Sequence, residues 1–379
     1  MSEMANHDLV IKGGTVVDPS QGIHEEMDVA VLGGKIAEVR RGLAASNARQ
    51  VIDASGELVT PGLVDLHVHA YDAVMPLGID PDLHCLAKGT TAVLDAGSSG
   101  CLNFPGLRKH VINRCTTKVY ALLNIGSIGL MTYGSIMEAL HEDPRHISVA
   151  DAVKTIEDNR ECLHGIKWHN TFGPRALVAA RTVADKAGCR LMCENSALFW
   201  MPVSHILDFM KPGDILTHVF QGGPAPTVLD PGGQIRPELL GAARRGIVMD
   251  VGHGAASFSF DVAEKAIGQG FLPDVISTDL HTGNLNGPVF DLPTTLSKFL
   301  MLGLSVDEAL LRATHNPAKS IGLDDRLGSL KEGFEADVVT LRVENGRFTF
   351  EDSLGQRRLG NERLLSSTVV ARGRVVKRL

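Results

Sequence analysis

The chain has 379 residues, about two and a half times the roughly 150 that set a soft expectation for one domain. With 44% hydrophobic and 21% charged residues, 40 Gly and 17 Pro, its composition is that of an ordinary folded protein and excludes a disordered, collagenous or coiled-coil chain. Its 44 acidic and 37 basic residues give a formal charge of −7, and no basic run exceeds short pairs such as Arg244-Arg245, which argues against a nucleic-acid partner because phosphate binding needs a concentrated cationic face.

The opening MSEMANHDLVIKGG is polar before its first apolar stretch, and nowhere do about 18 uncharged apolar residues run together, so neither a signal peptide nor a membrane span is expected. The six cysteines form no CxxC pair, which suits reduced thiols and a cytoplasmic location. Residues 8–59 read as short extended pieces between turns: Leu9–Lys12 before Gly13-Gly14, Met27–Leu32 before Gly33-Gly34, and Val51-Ile52 before Asp53. The pattern then changes. Apolar runs of strand length at Leu63–Val68, Thr91–Asp95, Val119–Asn124, Gly165–Lys167, Arg190–Cys193, Ile215–Val219, Ile247–Val251 and Val275–Ser277 are interleaved with helical stretches such as Arg175–Ala187, Pro237–Arg245 and Phe260–Gln269. Eight such strands predict an α/β fold, a parallel (β/α)8 TIM barrel; a doubly wound open sheet comes second, since no GxGxxG follows an early strand. Ser305-Val306-Asp307-Glu308 reads as a capping box opening a helix over Val306–Thr314. Ala336–Leu341, Arg347–Phe350 and Ser367–Val376 return to β-rich text, so the two ends are expected to form one discontinuous domain, a small β-sandwich.

In such a barrel the chemistry sits at the C-terminal ends of the strands. His67 and His69 stand at i and i+2 at the end of the first run, so both imidazoles are expected on one face, with Leu66 and Val68 on the other. Lys167, Glu194, His218 and Asp279 close or follow four further runs. Five strands each bring an ionisable group to one rim, and burying unpaired charges together is costly without a cation, so the pattern predicts a metal. The Gly- and Pro-containing stretch Gln221–Pro226, continuing to Asp230–Gly233, reads as an active-site loop, and His253 and His281 face the same rim. No GxSxG is present to support a serine hydrolase.

PGLVDLHVH, the strand-end lysine, the later histidine and STDLH resemble the amidohydrolase superfamily of metal-dependent hydrolases. DLVIKGGTVVDPSQG at the front and GSLKEGFEADVVTL at the back resemble that superfamily's split β-sandwich, so the likeness spans almost the whole chain. Met249–Phe258 (MDVGHGAASF), ISTDLH and GPVFDLPTTLSKFLMLG resemble its amidohydrolase/deacetylase subgroup, whose members cleave N-acyl or O-acyl groups from small carboxylic acids. The resemblance implies sandwich segments at 1–60 and 326–379 around a barrel at 61–325. It further implies hydrolysis of an amide or ester of a small carboxylate-bearing substrate by metal-activated hydroxide. His67, His69 and Asp279 would hold one metal, and Lys167, carboxylated by CO2 to a carbamate, would bridge to a second held with His218. Asp279 would take the proton from the water. One or two Zn2+ per chain are expected from the mixed donors, with Mn2+ or Fe2+ as alternatives. Glu194 stands where a two-metal member carries histidine, and can still ligate. Trp168 and His169 stand where the subgroup carries a small residue and arginine, and with His253 and His281 they are candidate substrate contacts. Rival readings are a cyclic amidase of the dihydroorotase or hydantoinase kind and a non-catalytic binding protein; a homo-oligomer stays open.

Overall fold

Turn chemistry and strand alternation build two sheets in the computed structural model, which describes residues 6–134, 143–194, 201–223 and 228–378. The front of the chain supplies β1 (His7–Asp18), β2 (Ile23–Leu32), β3 (Lys35–Arg40), β4 (Ala48–Asp53) and β5 (Leu58–Pro61). The middle supplies β6 (Leu63–Val68), β7 (Thr90–Ala96), β8 (Lys118–Asn124), β9 (Leu163–Trp168), β10 (Arg190–Glu194), β11 (Ile215–Thr217) and β12 (Val248–Met249), and the end supplies β13 (Val338–Glu351), β14 (Arg357–Ala371) and β15 (Arg374–Arg378). β2 and β3 are joined by Gly33-Gly34 with φ of 60° and 77°; positive φ at both turn residues matches the twist of a hairpin, and glycine adopts it without strain.

The two ends of the chain meet in one sheet, ordered β15-β14-β13-β5-β1-β2-β3 with β4 also paired to β1. The join is the antiparallel ladder from Val338↔Pro61 to Leu341↔Leu58. These eight strands form one connected sheet, because β1 is long enough to pair with β4 along His7–Lys12 and with β5 at Thr15-Val16.

The middle strands form a parallel sheet in chain order from β6 to β12. Residues 275–280 run between its two edge strands, bridging β12 through Asp250↔Val275 and β6 through Val68↔Leu280. The strand expected at Val275–Ser277 is thus a segment held by single bridges. Val275 N–H donates to the Met249 carbonyl in β12, but Ile276 N–H donates to the Arg312 carbonyl and Thr278 N–H to the Asp65 carboxylate.

Inside the curl pack Val64, Leu66, Ala92, Leu94, Ala96, Leu122, Met192, Ile215 and Val275, with Ala318, Ile321, Leu323 and Leu327 from the following segment. Outside lies the larger core against the helices, to which Gly173–Ala187 contributes Ala176, Leu177, Ala180, Val183, Ala184 and Ala187 at helical spacing. Leu66 belongs to the inner group and Val68 to the outer, contrary to the simple alternation expected. The β6–β7 register breaks between Asp65 and Val68, and such a break changes which side later residues face. All six cysteines are free. No helix among the described residues is long and apolar enough to cross a membrane.

Candidate active site

At the ends of β6, β9, β10 and β11, and on the segment after Val275, the chain places His67, Lys167, Glu194, His218 and Asp279, with His69 just past β6. Asp279 Oδ1 lies 3.3 Å from His69 Nε2 and 3.5 Å from His67 Nε2. Donor atoms of these three buried residues all fall within 4.8 Å of one another. Asp279 and His218 adopt left-handed backbone angles, φ 50° and 64°, which are unfavourable for residues with a Cβ. The strain, of order 1–3 kcal/mol each, is the kind that folds retain at functional sites.

The tautomers follow from partners that allow one answer. Thr217 Oγ1 donates its single proton to Asp250 Oδ2 at 2.7 Å, so at 3.0 Å from His67 Nδ1 it accepts, and His67 carries its proton on Nδ1. His218 Nδ1 lies 2.7 Å from the Gly252 carbonyl, which also accepts, so its proton too is on Nδ1. Both rings therefore present Nε2 as an acceptor, His67 toward Asp279 and His218 toward Glu194 Oε1 at 3.8 Å. Burial keeps them neutral: desolvation is the main cause holding His67 well below the ordinary histidine range and His69 near 4. Asp279 Oδ1 is buried without a hydrogen-bond partner among the described residues. Lone pairs facing lone pairs repel unless a proton or cation sits between them. Two imidazole nitrogens and a carboxylate oxygen are a donor set that suits a divalent ion.

Glu194 organises the other half. Its Oε2 lies 3.3 Å from His169 Nε2 and 3.7 Å from Lys167 Nζ. Burial alone would raise this carboxyl, but His169, Lys167 and His218 outweigh it and hold it down to about 2. Lys167 is 2% exposed, and among the described residues its amine is within reach of the weak thioether acceptor of Met192 at 3.6 Å besides that carboxylate. His281 stands at the rim with its ring 6.4 Å from that of His69; its Nδ1 accepts from Gly283 N–H, which leaves Nε2 as a donor.

Two candidates lie elsewhere. Trp168 follows Lys167 on β9 and so points to the opposite face, where its fully buried ring packs among the helices and its indole N–H donates to the Gly173 carbonyl at 3.1 Å. His253 is fully buried, stacked on Phe258 at 4.4 Å, with Nε2 2.7 Å from Lys298 Nζ and Nδ1 2.9 Å from the Gly254 carbonyl. Residues 224–226 of the expected loop lie outside the described residues.

Sequence reasoning missed the carboxylates behind the histidines. Asp250 accepts from Thr217 and from Ser277 Oγ at 2.6 Å, and burial raises it to about 6. Asp65 accepts from Thr278 N–H, Thr278 Oγ1 and His67 N–H, yet burial raises it to about 7. Asp95 holds the turn of Ser98, whose Oγ lies 3.0 Å from His69 Nδ1. Asp65 had a signal, two residues before His67 in the same strand.

A parallel sheet whose strand ends bring His67, His69 and the orphaned Asp279 carboxylate together has the architecture of a metal-dependent hydrolase. Comparisons agree. Residues 259–364 match the model of the amidohydrolase family. A deacetylase of Agrobacterium fabrum is 34% identical over 335 residues, 85% of this chain and 79% of that one, and a deacetylase of Enterococcus faecalis is 27% identical over 380 residues, 98% and 99%. Among solved structures, an adenine deaminase superposes with a TM-score of 0.89 at 28% identity, covering 98% of this chain and 100% of that one. A dihydroorotase superposes with a TM-score of 0.86 at 29% identity, covering 98% and 99%. The chain belongs to the amidohydrolase family, hydrolases that act on C–N bonds and generally use a divalent metal.

Proposed function

We propose that this protein is a deacylase that hydrolyses the amide or ester bond holding an acyl group on a small carboxylate-bearing molecule. The observation that carries the reading is the convergence of His67, His69 and Asp279, whose donor atoms lie within 4.8 Å of one another around an Asp279 Oδ1 with no hydrogen-bond partner among the described residues. His67, His69 and Asp279 would hold one Zn2+; His218, Glu194 and a carbamate on Lys167 would hold a second. When bound, the ion supplies Lewis acidity to the scissile carbonyl and to the attacking water.

The rest is done by the chain's own groups. Asp279, raised above the ordinary carboxyl range by burial, accepts the water's proton at its carboxylate and returns it to the leaving nitrogen or oxygen. His281, with its proton on Nε2, can donate to an acyl or carboxylate oxygen at the rim. His169, beside Glu194, and His281 are the histidines placed to meet substrate, whereas Trp168 and His253 support them from within the packing. The carbamate forms when neutral Lys167 adds CO2 and releases one proton. Residues 61–325 are read as a (β/α)8 barrel with 275–280 as its eighth strand, and 1–60 with 326–379 as the second domain.

The similarity to deacetylases over most of the chain supports acyl hydrolysis over ring opening. The dihydroorotase likeness keeps a cyclic amidase as the second reading. The test is metal quantification on purified protein with a screen of N-acyl amino acids, O-acyl hydroxy acids and ring amides. Release of a free acid and a second molecule is expected; a single ring-opened product would overturn the deacylase assignment.

A further inference from the structure

We infer that Lys298 is a positioning residue that staples together the two loops flanking Asp279 and ties both to the sheet built from the chain's ends. It lies on the helix Leu292–Met301, 1% exposed, with no carboxylate oxygen within ion-pair distance among the described residues. Its Nζ is 2.8 Å from the Pro288 carbonyl, 2.8 Å from the Glu351 carbonyl and 2.7 Å from His253 Nε2. His253 keeps its proton on Nδ1, where the Gly254 carbonyl accepts it, so Nε2 is an acceptor and the Lys298 amine faces three acceptors.

Each acceptor belongs to a different segment. The His253-Gly254 turn presses on Asp279: a Cβ added to Gly254, which has φ +55°, would meet Asp279 Oδ2 at 2.5 Å. The same turn is pinned from behind by Ser353 Oγ, which donates to the Gly254 carbonyl at 2.8 Å. Pro288 lies in the loop on the other side. There Asn284 Nδ2 donates to the Asp279 carbonyl at 2.8 Å, while the Asn284 carbonyl accepts from Gly287 N–H and Phe290 N–H. Glu351 ends β13. A buried amine bonded to three segments fixes their spacing, and the spacing sets where the Asp279 carboxylate points.

The inference rests on the reading of Asp279 as proton carrier, so its test has a readout independent of turnover. Lys298→Met keeps the stem and removes the donors. Amide exchange of residues 252–256 and 280–290 is expected to quicken about tenfold or more while exchange in β1 and β2 stays unchanged, the signature of a local opening. On whichever acyl compound the screen identifies, kcat is expected to fall about 10- to 100-fold with KM within about threefold, because misplacing a group that acts in the transition state lowers kcat. His253→Phe keeps the ring stacking on Phe258 and removes one acceptor; a smaller change in the same direction is expected, and it decides the matter if Lys298→Met does not fold. Unchanged local exchange with unchanged kcat, or quickened exchange throughout the molecule, overturns the inference. If no acyl compound is hydrolysed the proposed function fails, and the exchange pattern still settles the role of Lys298.

Discussion

Thr217→Val tests whether the site is built to present His67 as a neutral ligand. Valine has nearly the shape of threonine, and Thr217 is fully buried, so packing changes little. Two hydrogen bonds are lost: His67 Nδ1–H loses its acceptor at 3.0 Å and Asp250 loses one of its donors at 2.7 Å, keeping Ser277 at 2.6 Å. An unsatisfied buried donor costs about 1–3 kcal/mol. His67 Nδ1 is already 3.7 Å from Asp250 Oδ2, so the ring can turn toward that oxygen and recover part of the loss at the expense of its aim. The expected result is a divalent-ion affinity about 10-fold weaker, toward the low end of the 10- to 100-fold seen when partners of ligating histidines are removed, or about 1.4 kcal/mol. Chelator competition followed by metal analysis measures it, with Thr217→Ser, which retains the hydroxyl, as the control. Equal affinity for the wild type and Thr217→Val would refute the argument that the Asp250–Thr217 relay sets the His67 tautomer.

Asp279→Asn should retain much of the metal yet lower kcat by about 100-fold or more, because an amide ligates weakly but cannot take the water's proton; a loss below about tenfold in steady-state assays would remove Asp279 from proton transfer. Lys167→Ala should lose activity that short carboxylic acids partly restore, and the intact wild type should show carbamate carbon after exposure to labelled CO2; an unlabelled amine beside a full metal site counts against the bridge. Glu194→Ala should lower the metal content toward one ion per chain and Glu194→His should keep two; metal analysis showing no change in either variant makes Glu194 a bystander. His164, held near 4 mainly by burial, binds fewer protons folded than unfolded between about pH 4 and 6.5, so its contribution is intact above about 6.5 and is lost as pH falls toward 4. Unfolding free energies from urea titrations at pH 7 and 5 should therefore fall more for the wild type than for His164→Gln, by about 2 kcal/mol; parallel shifts would contradict it.

The sequence exposed the candidate site residues because strand ends can be located from periodicity, and residue type at a strand end is local information. His67, Lys167, His218 and Asp279 were legible in that way. The outward face of Trp168 was equally available, since alternation with Lys167 already dictated it, but the family position drew attention to the pocket instead. The role of His253 was not available: its partner Lys298 is 45 residues later, and only the folded chain brings them to 2.7 Å. The change of side between Leu66 and Val68 depends on a break in register with β7, a property of the pair that neither strand carries alone. The single sheet from the two ends likewise depends on β1 being shared between β4 and β5.

Glu194 shows why ligand type and ligand surroundings must be read together. An imidazole at this position would add no charge, whereas the carboxylate is held ionised at about 2 by His169, Lys167 and His218. As an ammonium, Lys167 at 3.7 Å is its counter-ion. Conversion of that ammonium to a carbamate exchanges an attraction for a repulsion between two buried anions, an unfavourable step in a low-dielectric interior. On the proposed reading, carboxylation of Lys167 would be favourable only with a cation nearby, and by reciprocity each event would promote the other. A histidine at 194 would weaken that linkage, leaving the lysine free to carboxylate before the ion arrives. On that reading the glutamate would make the two events interdependent, and its charge, which faces Lys167, His169 and His218, would set the order in which a second site assembled.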